Sequence, residues 1–361
     1  LIKEAIADRP HLALVDTYGC QQNEADSERI RGMLEEMGYG FTDVEQEADV
    51  IVINTCAVRE HAEQRVFGNV GALTHTKRRH PDQKIFLTGC MAGEAHVVDR
   101  LKKSYRHVNG VFTSHAQWRL PEIVYNALTG EKRQFVTPET GNIVEGLPVQ
   151  RLGDLKGWVS IMYGCNNFCS YIVREVEQMI ADGYKDITLL GQNVNSYGKD
   201  LKLDVDFADL LKTLSELPGD FVLRFMTSHP KDASKKLFDT MASSPKIAKH
   251  IHLPFQAGND RVLKAMNRGY TAEKYLTLID YARSVMPEIV LTSDVIVGFP
   301  GETEAEFEDT LRLVETVGYD ALFTFIYSPR EGTPAAKLPD PYSRQEKQIR
   351  SEEHTSELQS H

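Results

Sequence analysis

Five cysteines carry the most specific chemistry this chain offers. Three of them close apolar runs, in Tyr18-Gly19-Cys20, Asn54-Thr55-Cys56 and Thr88-Gly89-Cys90. The other two lie together in Tyr163-Gly164-Cys165-Asn166-Asn167-Phe168-Cys169. The N-terminus has no charged, apolar and small-residue segments in secretory order, so a cytoplasmic location is expected, where specially placed thiols serve metals or catalysis more often than disulfides. One free cysteine alone is usually a small buried hydrophobe. Three at the same station, each just past a strand-like run, favour a shared ligand instead. A glycine before two of them permits a tight turn and close approach of a bulky group. Structural zinc usually takes four protein ligands, whereas three thiolates leave a position open, which suits an iron–sulfur cluster or metal with one reactive iron.

The elements that must position these thiols read as α/β throughout. Over residues 11–130 apolar runs at 12–16, 50–54, 85–88 and 108–112 alternate with helical patterns such as 25–37, where Ile30, Met33, Leu34 and Met37 recur at helical spacing. That is the pattern of a doubly wound parallel sheet, in which strand ends converge on one crevice. Residues 131–156 lose periodicity and read as a linker. Over 157–345 a second alternation runs through six strands, at 158–163, 186–190, 222–226, 250–254, 290–297 and 322–327. Its helices are read at 207–217, 235–241, 272–285 and 304–317, among others. Six βα units are fewer than the eight of a closed barrel, so an open, partial (β/α)6 barrel is expected.

At 361 residues the chain is expected to form two or three domains. No apolar run approaches the roughly 20 residues of a membrane span. The net charge of -11 disfavours a uniformly basic nucleic-acid surface. The local run Lys77-Arg78-Arg79-His80 reads first as a solvated helix end favoured by the helix dipole. Leu1 in place of an initiator Met suggests a fragment, and residues 350–361 have no periodic apolar face and read like the translation of a sequencing adapter, a non-native tail.

A Cys-x3-Cys-x2-Cys loop after the first strand of a partial barrel is the mark of radical S-adenosylmethionine enzymes, and Cys165 and Cys169 supply its first two thiols. The third position holds Ile172. Gly191-Gln192-Asn193-Val194-Asn195, Thr227-Ser228-His229-Pro230, His252-Leu253-Pro254-Phe255-Gln256 and Gly298-Phe299-Pro300-Gly301-Glu302 sharpen the match. With the three-cysteine first domain, the chain resembles the methylthiotransferase branch of that family over about residues 12–350.

The resemblance implies two 4Fe-4S clusters and S-adenosylmethionine. Cys20, Cys56 and Cys90 would ligate the first cluster, and Cys165 and Cys169 the second, which here lacks its third ligand. Gln192, Asn193, Ser228, Gln256 and Asp294, all at strand ends of the barrel, are the expected cofactor contacts, although any one of them serves equally well as a cap. His229 is expected to be a fixed loop residue. The implied reaction inserts a methylthio group at carbon 2 of a dimethylallyl-modified adenosine beside the tRNA anticodon, with flavodoxin or ferredoxin as electron donor. Sister enzymes acting on threonylcarbamoyl-adenosine or on a ribosomal protein are the alternative, and a non-catalytic iron–sulfur module is the alternative of another class. The family's loop after Tyr171 is missing, so the radical site of this copy is expected to be impaired.

Overall fold

The computed structural model describes residues 1–56, 60–130, 132–138, 146–162, 168–199, 205–329 and 333–358. The chain divides into two compact units, Leu1–Tyr171 and Ile172–His361.

The first unit contains strands β1 (His11–Tyr18), β2 (Tyr39–Phe41), β3 (Val50–Thr55), β4 (Lys84–Gly89), β5 (Gly110–Phe112), β6 (Gln134–Val136) and β7 (Lys156–Ser160). Helices α1 (Ile2–Ala5), α2 (Gln21–Met37), α3 (Glu60–Arg79), α4 (Ala95–Ser104) and α5 (Leu120–Leu128) are interleaved with them. The first six strands form one parallel sheet in the order β2-β1-β3-β4-β5-β6. Such a sheet must be covered on both faces. Val50 and Val52 of β3 join Ile30, Met33 and Leu34 of α2 and Ile123 of α5 on one face. Ile51 and Ile53 join Val66, Phe67 and Val70 of α3 and Leu101 of α4 on the other. Because successive side chains point to opposite faces, a strand buried on both becomes an unbroken apolar run. The strand order reverses between β1 and β3, where a crevice opens beyond the carboxyl ends.

β2 and β6 were not legible as strands, being three residues each, too short for a periodicity. β6 lies within the stretch read as linker and extends the sheet by pairing with β5. β7, read as the opening strand of the barrel, shares a three-stranded sheet with the next two strands of the chain, and the Gln22 side-chain amide donates to Ser160 Oγ at its end at 3.0 Å. Lys77, Arg78 and Arg79 occupy the last turn of α3. The half-buried Lys77 ammonium donates to the Gln83 carbonyl, and burial pushes it down to about 8.

Helix α6 (Phe168–Ala181) crosses the unit boundary and buries Ile172, Val176 and Met179. The second unit continues with strands β8 (Asp186–Leu190), β9 (Val222–Phe225), β10 (His250–His252), β11 (Val290–Val297) and β12 (Ala321–Ile326). Its helices are α7 (Phe207–Ser215), α8 (Lys235–Ser243), α9 (Asp260–Ala265), α10 (Ala272–Val285), α11 (Glu304–Val317) and α12 (Arg344–Leu358). β7-β8-β9 and β10-β11-β12 each form a three-stranded sheet, the β8–β9, β10–β11 and β11–β12 pairs parallel, so the βα units of a partial barrel follow the doubly wound sheet. Asp206, Ser234, Thr271 and Thr303 start α7, α8, α10 and α11 by accepting a backbone N–H, the ordinary role of such N-caps. α12 runs on to Leu358 through residues read as an aperiodic tail, since extending a helix already begun needs no apolar stripe. Among the described residues no helix is long and apolar enough to cross a membrane.

Candidate functional site

The three first-unit cysteines stand at one edge of the sheet. Cys20 follows β1 and is the N-cap of α2, Cys56 follows β3, and Cys90 follows β4 at the start of a single 3-10 turn. β1, β3 and β4 are consecutive in the sheet and parallel, so all three thiols lie at carboxyl ends beside the switch point. Cys20 and Cys90 are exposed and Cys56 is buried. The Cys56 amide donates to the Tyr18 carbonyl at 2.8 Å, which ties the first two cysteine loops together. A hydrogen bond from Cys56, aided by the Asn23 and Gln22 amides at the start of α2, pushes the Cys20 thiol down to about 6. The downward shift favours the thiolate, the form that binds iron.

Two glycines shape the edge. A Cβ on Gly19 would lie 2.1 Å from Asn23 Oδ1 and 2.9 Å from Cys56 Cβ. Gly89 has φ +96°, and a Cβ there would lie 2.1 Å from the Thr55 carbonyl oxygen.

Beneath the thiols is a buried polar layer that sequence reading missed. Asn23 Nδ2 donates to Asn54 Oδ1 at 3.1 Å and to the Thr55 carbonyl at 3.2 Å. Asn54 Nδ2 donates back to the Asn23 carbonyl at 2.8 Å and to Ser27 Oγ at 3.0 Å. The available signal was Asn54-Thr55 interrupting an otherwise apolar strand end.

Among the described residues no three His, Cys, Asp or Glu side chains converge tightly enough to hold a single metal ion. A multi-iron cluster takes each thiolate on a different iron and needs a wider spread. Three soft donors on one edge, with glycines clearing the backbone, fit such a cluster better than a mononuclear centre.

In the barrel, Cys165 lies outside the described residues, as does the side chain of Cys169 in the first turn of α6. Ile172, where the third ligand was expected, is fully buried.

Of the other candidates, Gln192, Asn193, Ser228 and Gln256 follow strand carboxyl ends, whereas Asp294, expected there too, lies inside a strand. Gln192 is exposed. Asn193 Nδ2 donates to Asp232 at 2.6 Å, while its buried Oδ1 has no partner among the described residues. The same holds for both polar atoms of Asn195 and for Ser228 Oγ, in side chains at least nine-tenths buried. Each such orphan costs about 1–3 kcal/mol unless a ligand completes it. The loops after β8 and β9 are joined by Val194 N–H to the Thr227 carbonyl at 3.2 Å and by the Thr227 hydroxyl to the Gly191 carbonyl. Thr227 and Gln256 take left-handed backbones, φ 64° and 66°. That strain, about 1–3 kcal/mol each, characteristically collects at ligand sites. Gln256 is buried and clipped to β11 through Asp294 and Ile296. Asp294 lies within β11, where its carboxylate faces His252 Nε2 at 3.4 Å. His229 is a fixed loop residue as expected, its Nδ1 accepting from the Lys231 amide at 3.2 Å and its ring edge-on to Tyr270. Asn195, within the quoted motif but not singled out, belongs with this group.

Comparison with known proteins agrees with this architecture. Residues 13–113 match the family described as "Uncharacterized protein family UPF0004" and residues 170–314 match the radical SAM superfamily. Among solved structures, the apo form of the cobalamin-dependent S-adenosylmethionine radical enzyme OxsB superposes with TM-score 0.58 at 10% identity, over 85% of this chain and 52% of that one, a likeness of fold. The tRNA-2-methylthio-N(6)-dimethylallyladenosine synthase of Alkaliphilus oremlandii is 49% identical, the match covering 93% of this chain and 75% of that protein. The enzymes of the same name from Thermoanaerobacter sp. and Clostridium beijerinckii are 49% and 46% identical, over 73% and 78% of their lengths. With that identity across a doubly wound cysteine-bearing sheet and a partial barrel, the chain belongs to the tRNA-2-methylthio-N(6)-dimethylallyladenosine synthase family of radical S-adenosylmethionine enzymes.

Proposed function

We propose that this chain is built to place a methylthio group on carbon 2 of dimethylallyl-modified adenosine in tRNA, at the anticodon stem-loop, in the cytoplasm, with a flavodoxin or ferredoxin as electron donor. The observation that carries the reading is the assembly of Cys20, Cys56 and Cys90 on three consecutive parallel strand ends, in a chain 45–49% identical to synthases of that name. When bound, the clusters and S-adenosylmethionine supply the sulfur, its methyl group and the radical that activates the carbon.

The chain's own residues position these parts. Cys20, Cys56 and Cys90 would hold one 4Fe-4S cluster, and the Asn23–Asn54–Ser27 layer fixes their loops. Asn193, Asn195 and Ser228 would bind and orient the cofactor, filling the hydrogen bonds now open among the described residues, with Gln256 beside them and Gln192 at the rim. Asp294, from the same group, stands on the adjoining wall.

The second cluster does not fit the residues present. Cys165 and Cys169 supply two thiolates, and the third position holds the core residue Ile172, so we propose that radical initiation is impaired in this copy.

The test is expression, in a bacterium lacking its own enzyme, of this chain and of a copy with the relatives' cysteine-bearing segment restored between Tyr171 and Ile172, followed by mass spectrometry of tRNA nucleosides. The restored copy is expected to convert dimethylallyladenosine to its methylthio form, and the unrestored one to leave it unchanged. Conversion of threonylcarbamoyl-adenosine instead would reassign the chain to the sister enzymes.

A further inference from the structure

The inner wall formed by β10, β11 and β12 is unlike a packed barrel interior. Interior-facing side chains of small barrels normally fill the space and bury one another. Along β11 the buried residues Leu291, Ser293, Val295 and Val297 alternate with the half-buried Thr292, Asp294 and Ile296. The second set shares a face with His250 and His252, since the Thr292 hydroxyl lies 3.1 Å from His250 Nε2 and 3.0 Å from His252 Nδ1. Phe323 of β12 stands opposite Asp294 in the strand register and is edge-on to His252, ring centroids 6.1 Å apart. It is nevertheless 54% exposed, a large apolar ring left open on the inner face of a sheet.

The polar groups beside that ring are fixed. The Thr292 hydroxyl, with one proton and two lone pairs, bonds both imidazoles and so holds the two rings side by side. Asp294, 3.4 Å from His252 Nε2, is steadied by that ring, and its carboxylate keeps acceptor capacity toward the open side. An open aromatic face next to a carboxylate acceptor matches a planar base bearing an amino group: the ring stacks and the amino N–H is accepted. A guanine or hypoxanthine edge would set a carbonyl oxygen against the carboxylate and be repelled.

We propose that Phe323, His252 and Asp294 form the seat of the target adenine, Phe323 stacking on the base and Asp294 reading its exocyclic nitrogen. This rests on the methylthiotransferase reading and deepens it by naming the residues that choose the base.

The test uses the whole chain and an anticodon stem-loop RNA carrying the fluorescent base 2-aminopurine at the target position, and it needs no turnover. The chain is expected to quench the probe. Phe323→Ala should abolish the quench and weaken binding roughly tenfold or more, in line with the loss of one base–aromatic stack, while Phe323→Trp should retain both. With stem-loops carrying adenosine or inosine at the target, Asp294→Asn should lower the adenosine preference about tenfold, because an amide donates where a carboxylate only accepts. A quench unchanged in Phe323→Ala would overturn the proposal. So would a quench displaced competitively by S-adenosylmethionine, which would assign the wall to the cofactor's adenine. Stem-loop binding without any quench would remove this seat and leave the methylthiotransferase reading standing. Failure to bind the stem-loop at all would remove both.

Discussion

Gly89 sits where the third thiol meets the sheet, between β4 and Cys90, and its φ of +96° is one that side-chain-bearing residues rarely adopt. A methyl there meets the carbonyl of Thr55 and the side chain of Asn54, both held in the buried polar layer. Neither neighbour is a flexible side-chain tip, so the strain cannot be shed cheaply. Gly89→Ala is expected to destabilise the first unit by about 2–4 kcal/mol, combining backbone strain and overpacking, measured by chemical denaturation. A change under about 0.5 kcal/mol, the range of an ordinary surface substitution, would mean the turn relaxes and the glycine serves no close approach. The same thiols were legible as a set because each closes an apolar run. Asn23 was not, since its role depends on Asn54, which lies on another element 31 residues away.

At the scale of the element, α11 shows how local chemistry holds the barrel's strand-end loops. Thr303 caps it and the Glu306 carboxylate accepts from the Thr303 amide at 2.8 Å, the reciprocal capping box. Glu306 also pairs with Arg261 of α9, whose guanidinium reaches the Gly301 carbonyl at 2.6 Å. Arg261 first, with the Thr303 bonds, holds the Glu306 carboxyl down at about 2 against an ordinary 4.5. A depressed carboxyl contributes stability above its unfolded value and loses it as pH falls toward the folded one. Glu306→Gln is therefore expected to lower stability at pH 7 by about 1–2 kcal/mol, discounted because Arg261 is half exposed. The gap should stay constant above about pH 5 and narrow as pH falls from 4.5 toward 2. Melting curves of both proteins across that range check it, and a gap that widens on acidification would refute the assignment. The capping box was readable from Thr303 and Glu306 at their spacing, whereas the Arg261 partner, 45 residues away, was not.

For the whole molecule, the reconstitution outcome follows from the count of thiols. Anaerobic loading of this chain with iron and sulfide is expected to yield one cluster that survives desalting, on Cys20, Cys56 and Cys90, and little or no 5'-deoxyadenosine on reduction with dithionite. Iron counting and electron paramagnetic resonance are the measurements. Two full clusters with dithionite-dependent 5'-deoxyadenosine would show that the missing thiol does not matter. By itself the sequence determined the α/β class, the strands β8 and β11 and the helices α10 and α11 to the residue, the three cysteine stations and the family, because buried parallel strands and amphipathic helices write their periods locally. Only the tertiary structure decided that β2 and β6 complete the first sheet and that Asn23 locks the cysteine loops. It alone left Asn195 and Ser228 buried with open hydrogen bonds among the described residues, and Phe323 bare beside His252. Each of these depends on contacts between elements distant in sequence, and such contacts leave no period in the chain.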